Sequence, residues 1–559
     1  MPGIRQRLER TRSPPRLPAD GAYNPELKDW MTEWAWGDCV AAALVRKAKS
    51  KQRGGSTLDE HTTRLATSFD NIQNAERVVK SIMPSNLFPP ILSPSDSMDV
   101  LLPYETFHWL RRLNEHKWQI CMGALANGMT SWWAAFRSSD EGKKAWDRNP
   151  FLRHKLPCDL NRHVPLMYFD DAGKTTISRS AFCRTYYSLT GKGTDRDTRI
   201  VLATCHKEYE GENRQAWHDI MQSFEELAKP VGSDEWGGIL LFTGSDLEYI
   251  VNVMGMTSYG AEQICGYCLA NGDTHSHSDN SNGAPWRPTI ITSDAAFKAR
   301  FRTPHHPVVA HEWFGVYSYR FDLMHMADHH GISNLIAGNI LHHNIKKRNG
   351  PLPGPNMDAR LVFLNGDMKA YQSHTGCKNR LPALKMDNLT SSGFPELHGP
   401  LVKAANTRSC IPYCLDLQQR AVEISGDAAD KHMLKIVHHM AEIYSILYAA
   451  STFLTCEELS RLDVSIRKLG NHWQWLAVNS FNALVLAWKQ TPKLHYIIGH
   501  LHWQARLINP VHTQGYMNES MVGTLSKIYK ASMRGPHEDV SHDTVVKKYL
   551  TGMILGWSC

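Results

Sequence analysis

Three carboxylate-bearing segments, one thiol pair and one histidine-rich segment have residue types and spacings suited to chemistry. Asp170 and Asp171 follow at once on the apolar run His163–Phe169. Carboxylates at the end of a buried strand commonly line a site in α/β folds. Asp-Ala-Gly is also good turn chemistry, so the pair reads equally as a turn opener. Asp322 and His325 lie three apart in FDLMHMADHH (321–330), on one face if that segment is helical. A hard carboxylate beside imidazoles suits a divalent cation, and His329 and His330 follow one turn later. The bland alternative makes Asp322 a helix N-cap.

Cys265 and Cys268 form a C-x2-C pair, which presents two thiolates to one metal ion as structural zinc requires. His275 and His277, in the polar loop just downstream, are the expected remaining ligands. Glu519 sits in the first turn of a helix expected over 518–533 with Asn518 as N-cap. Just before it, Lys493, His495, His500 and His502 place cations and bases in TPKLHYIIGHLHW. They read either as a phosphate-binding group, with Lys493 and His495 the expected phosphate contacts, or as a satisfied, part-buried histidine cluster.

The elements that must position these residues follow from periodicity. Residues 1–25 are Arg- and Pro-rich and read as a disordered basic arm. Residues 26–155 read as a helical, Trp-rich region, with Trp109, Trp118, Trp132 and Trp133 as packing residues. Short β-rich runs at 163–169, 199–209 and 237–242, with a strand leading into a helix over 318–326, make 156–331 mixed α/β. Residues 332–490 are mainly helical, with helices expected over 416–454 and 457–490. Residues 491–559 carry the last acidic candidate.

Composition sets outer bounds. The 559 residues are 42% hydrophobic and 21% charged, enough to bury a core. Lys plus Arg is 62 against 55 for Asp plus Glu. Residues 1–53 hold 11 basic and 6 acidic side chains, so +5 of the net +7 lies there. No apolar run is long enough to span a membrane, and the N-terminus lacks a secretory core. Twelve scattered cysteines argue for a reducing compartment. The chain has no P-loop, dinucleotide-binding, nucleophile-elbow or zincin motif.

Taken in order, these segments resemble the DDE transposases of the CACTA/Plavaka-like group of cut-and-paste elements, and the transposase-derived proteins common in dinoflagellate genomes. Pro165–Asp171 is similar to the family's P-L-x-x-H-G-D strand motif, which puts the first Asp on Asp171. Phe169-Asp170 here replaces the His-Gly of that motif. Asp322 and His325 meet a D-x-x-H signature, followed by a small-residue segment like His330–Asn339. Cys265, Cys268, Ala270, Asn271, Pro285 and Trp286 meet C-x2-C-x-A-N with a later Pro-Trp. Glu519, Ser520, Val522 and Gly523 meet an E-[DS]-x-[VI]-G helix. The resemblance spans roughly 160–550.

The resemblance implies an RNase H-like mixed sheet core interrupted by a large helical insertion. It implies metal-dependent phosphoryl transfer on DNA, with Asp171, Asp322 and Glu519 holding Mg²⁺ (or Mn²⁺) and His325 assisting. It also implies structural Zn²⁺ at the CxxC loop and residence in the nucleus. DNA is the expected partner, a homodimer is compatible, and no membrane is expected. Two alternatives stay open: an inactive transposon-derived DNA-binding protein, and a zinc-stabilised interaction protein.

Overall fold

The computed structural model describes residues 91–92 and 100–532, with short gaps, together with Val545 and Tyr549. The expected basic arm over 1–25 and residues 26–90 of the expected helical region lie outside the described residues. In chain order the described elements begin with α1 (Pro103–Leu113), α2 (Glu115–Met122), α3 (Thr130–Ser138) and α4 (Asp140–Arg148). Strands β1 (His163–Lys174), β2 (Ser180–Ser188) and β3 (Ile200–His206) follow, then α5 (Arg214–Leu227), β4 (Gly237–Ser245) and α6 (Leu247–Asn252). Strand β5 (Tyr319–Phe321) leads into α7 (Leu323–Ala327) and α8 (Ile332–Lys346). The long helices that follow are α9 (Met357–His374), α10 (Ala404–Ser425), α11 (Ala428–Ala449), α12 (Cys456–Asn482), α13 (Pro492–Ala505) and α14 (Tyr516–Ser532).

The fold is mixed α/β, with one five-stranded sheet in the order β3-β2-β1-β4-β5. Strands β1, β2 and β3 form an antiparallel meander, whereas β4 and β5 pair in parallel. The chain divides into two compact units, and β4 runs from one into the other. The first unit comprises residues 1–127, 164–240 and 517–559; the second comprises 128–163 and 241–516.

In the first unit, the inner strands are buried nearly end to end, as strands covered on both faces must be. Tyr168 of β1 and Tyr186 of β2 meet Trp217 and Phe224 of α5 edge-on, with centroids 5.7 and 5.8 Å apart for the Tyr168–Trp217 and Tyr186–Phe224 pairs. Gly238 of β4 runs close beside this layer, and a Cβ there would lie 2.5 Å from Leu166.

In the second unit, α8 is apolar on nearly every side and almost wholly buried, which fits a central helix. Gly338 lets the backbone of Glu396 approach so closely that a Cβ would lie 2.4 Å from its Cα. The expected helix over 416–454 is two helices, α10 and α11, because Gly426 adopts φ +65° and ends α10 there. The helix expected over 457–490 stops at Asn482.

Helices α8, α10 and α11 are joined through Asp430, whose side chain is fully buried. It accepts hydrogen bonds from His343 Nε2 (2.8 Å), from Lys347 Nζ and from the Ser425 hydroxyl. Burial alone would raise its pKa; the hydrogen bonds from His343, Lys347 and Ser425 outweigh that and hold it well below the ordinary carboxylate range. A depressed carboxylate pKa stabilises above the unfolded value, about 3.9, and that contribution is lost as pH falls below it. Asp430→Ala is therefore expected to lower unfolding free energy by about 2 kcal/mol at pH 7, since it removes the buried acceptor that His343, Lys347 and Ser425 share. In urea titrations the gap from the parent protein should shrink below about pH 4.

Candidate metal centre

The C-x2-C loop of the second unit does meet two histidines, but not the two nearest in sequence. Cys265 Sγ lies 3.2 Å from His500 Nε2, and Cys268 Sγ lies 3.3 Å from His495 Nε2. One ligand atom from each of the four lies within 4.8 Å of every other, and all four residues are buried. A tetrahedral zinc with Zn–S near 2.3 Å and Zn–N near 2.0 Å sets S···N edges of roughly 3.5 Å. The donor set and its spacing therefore fit a structural zinc ion.

Helix α13 delivers both imidazoles, and its start is fixed by Thr491, whose side chain accepts from Leu494 N–H, with Pro492 in the first turn. Between the histidines, Gly499 passes under Trp286; a Cβ there would lie 2.9 Å from its ring. Trp286 in turn packs edge-on against His495, with centroids 4.4 Å apart. On the thiol side, Gly266 clears Met256, whose sulfur would be 2.6 Å from a Cβ. The backbone N–H of Tyr267 donates to Cys265 Sγ at 3.3 Å, and the Tyr267 hydroxyl donates to the carbonyl of Tyr319 at 2.9 Å. The loop is thereby tied to β5.

Burial opposes a charged Cys265, yet hydrogen bonding from Cys268 and the positive character of His500 and His495 hold its pKa well below the ordinary thiol value. Burial pushes Cys268 up and lowers His495. The pocket thus favours a thiolate at Cys265 and a neutral imidazole at His495, forms that bind a metal.

His275 and His277 take no part in this group. His275 Nδ1 lies 3.1 Å from the Thr274 hydroxyl, and His277 Nδ1 lies 3.2 Å from the Asn271 carbonyl, so both serve their own loop. His495 is only 1% exposed and faces Cys268, so it is not a DNA contact. Lys493 donates to the carbonyls of His329 (2.9 Å) and His330 (3.1 Å), tying down the segment after α7. Burial lowers its pKa to about 8, against the pull of Asp246, Asp322 and Glu396.

Asp322 is the N-cap of α7, as the bland reading had it, and is fully buried. One oxygen accepts from the N–H groups of Met324 (2.9 Å) and Gly515 (2.7 Å). The other pairs with His325 Nδ1 at 2.5 Å. Protein donors already serve this carboxylate, which suits it to orienting His325 better than to ligating a cation. Sequence reasoning missed Asp246, which closes β4 and caps α6 by accepting from Tyr249 N–H at 2.6 Å. A carboxylate oxygen of Asp246 lies within 4.8 Å of a ring nitrogen of His325, so these two hold metal-ligating atoms near one another in the second unit. The signal was a buried strand, GGILLFTGS, ending directly in Asp.

Asp171 and Glu519 belong to the first unit. Strand β1 continues through Asp171 to Lys174, so the Asp-Ala-Gly turn does not form there. The two neighbouring carboxylates point to opposite faces of the strand. Asp170 pairs across the ladder with Arg184 at 3.9 Å, and that guanidinium lies 4.3 Å over the ring of Trp217. Asp171 stands opposite Cys183, and its Oδ1 accepts from Ala172 N–H at 2.8 Å. Glu519 is half-buried in the first turn of α14. That helix starts at Tyr516, so Asn518 is no cap; its side-chain oxygen accepts from Arg199 Nε (2.9 Å) and Thr185 Oγ (3.3 Å).

No model of a known protein family matches the chain, and no curated protein matches it. No helix among the described residues is long and apolar enough to cross a membrane.

The purified chain is expected to carry one zinc per molecule, measured by plasma mass spectrometry. Cys265→Ser and His500→Ala should each abolish it and lower Tm by about 10 °C or more, since metal binding contributes directly to folding. His275→Ala with His277→Ala should leave zinc content and Tm unchanged. Zinc should be released as pH falls and its ligands bind protons.

Proposed function

We propose that this chain carries out metal-dependent phosphoryl transfer on DNA, as the resemblance to CACTA/Plavaka-like transposases implies. The observation that carries the reading is the sheet. An antiparallel meander, a helix and then parallel strands agree with an RNase H-like core, and carboxylates lie on its first strand (Asp171) and directly after its fourth (Asp246). The helical stretch from α8 to α12 is then the insertion.

Within the second unit, the reading assigns cation ligation to Asp246, a carboxylate oxygen of which lies near a ring nitrogen of His325. Asp322, which the resemblance implies as a ligand, already takes three protein donors, Met324 N–H, Gly515 N–H and His325 Nδ1, and so enters this reading through His325. Mg²⁺ or Mn²⁺ prefers such carboxylate oxygens and, when bound, would stabilise the charge that develops on the attacking and leaving oxygens at phosphorus. Asp322 acts through His325, fixing the ring by its Nδ1. Lys493 fixes the backbone of 329–330, which follows α7. Zinc at Cys265, Cys268, His495 and His500 would hold α13 against the loop that follows α6.

The test is cleavage of a labelled DNA duplex with Mg²⁺ or Mn²⁺. Asp246→Asn and Asp171→Asn are each expected to reduce the rate by about 10³-fold or more, and Asp322→Asn by about 10–100-fold through a misplaced His325. Metal-independent cleavage, or full activity in Asp246→Asn, would overturn the assignment.

A further inference from the structure

Helices α11 and α12 pack side by side and bring together a group of basic side chains that no site described above uses. Residues 431–441 of α11 contain Lys431, His432, Lys435, His438 and His439 and no Asp or Glu. Residues 464–482 of α12 contain Arg467, Lys468 and His472 and no Asp or Glu. Lys431, Lys435, His438 and Lys468 are exposed. Arg467 is neutralised by Asp463 at 2.8 Å, and an Arg461–Glu442 ion pair closes one end of the face.

Between those ends, Lys431, Lys435 and Lys468 form no ion pair among the described residues. His432 Nδ1 and His472 Nδ1 face each other at 3.1 Å, so at most one of the two can carry a proton there. His432 is stacked flat on Trp475, with centroids 3.9 Å apart and planes at 12°. The ring of His439 lies parallel to that of His472 at 6.1 Å. Burial, then the charges of His438, His472, Lys468 and Lys435, lower His439 to about 4. Burial, then His432, Lys435 and Lys468, lower His472. Burial lowers His432. The charges acting on His439 and His472 are all cationic.

We propose that this α11–α12 face binds the phosphodiester backbone of a nucleic acid, through Lys431, Lys435 and Lys468 directly and through the His432–His472 pair as it takes up a proton. The proposal rests on the DNA reading above and names where the duplex is held. From Lys431 to His439 the face runs about 12 Å along the helix, at 1.5 Å per residue. Duplex DNA presents a negative charge about every 1.7 Å, so roughly seven phosphates pass over that length. The His432–Trp475 stack adds a flat aromatic edge beside the cations, a combination common where nucleic acids bind. A polyanion brought to the face would offset the burial and the cationic repulsion that keep this pair neutral, so binding takes up a proton and strengthens as pH falls.

The experiment uses the full chain and a fluorescein-labelled 30-base-pair duplex, with anisotropy read across a salt series and from pH 8 to pH 6. Lys435→Glu with Lys468→Glu is expected to weaken binding at least 10-fold at low salt and to reduce the slope of log K against log salt by about 2. His432→Gln with His472→Gln is expected to remove most of the affinity gained between pH 8 and pH 6. Unchanged circular dichroism and zinc content would show that both variants are folded. If the parent protein binds the duplex and the lysine variant binds equally well, this surface is overturned while the DNA reading stands. If the parent protein binds no duplex even at low salt, both fall. If poly-glutamate competes as well per charge as DNA, the partner is an acidic protein segment and the proposal is overturned.

Discussion

The second unit depends on one convergence. Two thiols from a loop after α6 and two imidazoles from α13, more than two hundred residues away in the chain, meet with all four side chains buried. Left without a cation, such a group would bury polar atoms with weak partners, which is costly. With zinc, the same atoms become the strongest local cross-link available to a chain with no disulfide among its described cysteines. Its closure joins the two ends of a long helical excursion, where entropy alone would let them drift apart.

Other features of the unit follow from that closure. Tyr267 extends the thiol loop to β5, and Gln504 on α13 donates to the Tyr267 hydroxyl at 3.0 Å. Lys493, on the first turn of the same helix, reaches the carbonyls that follow α7. Past the next turn, Asp328 accepts from Tyr444 and from Tyr516 (2.7 Å), and burial raises its pKa to about 7 against those two hydrogen bonds. The segment around Asp322 and His325 is thus held from α13, from α11 and from the start of α14. Such supporting contacts are what a metal-handling or phosphate-handling side chain needs if it is to keep one orientation.

Much of this was legible in the sequence. The apolar runs at 163–169, 199–209 and 237–242 and the strand-to-helix pattern over 318–326 mark four of the five sheet strands, and the helical patterns after 332 mark the helical stretch. The thiol pair announced a metal. Its partners were obscured by distance along the chain, because proximity in sequence favoured His275 and His277. The H-x4-H spacing of His495 and His500 was nonetheless within the range zinc ligands use. Asp322 drew attention through its D-x-x-H pattern, yet a carboxylate before a short helix is first of all a cap, and its hydrogen bonds to Met324 and Gly515 show it in that role. Asp246 went unremarked because a lone Asp after a strand carries no motif; only its nearness to His325 distinguishes it. The extent of β1 past Asp171 was illegible for a similar reason. Turn propensity in Asp-Ala-Gly gives way when nine ladder pairs with β2 hold the strand extended.

The measurement that bears most directly on this centre is X-ray absorption at the zinc edge of the purified full-length chain. A four-coordinate shell of two sulfurs near 2.3 Å and two imidazole nitrogens near 2.0 Å is the expected spectrum. A shell of oxygen and nitrogen alone, a four-sulfur shell, or a chain that takes up no zinc would contradict the convergence of Cys265, Cys268, His495 and His500 on one ion.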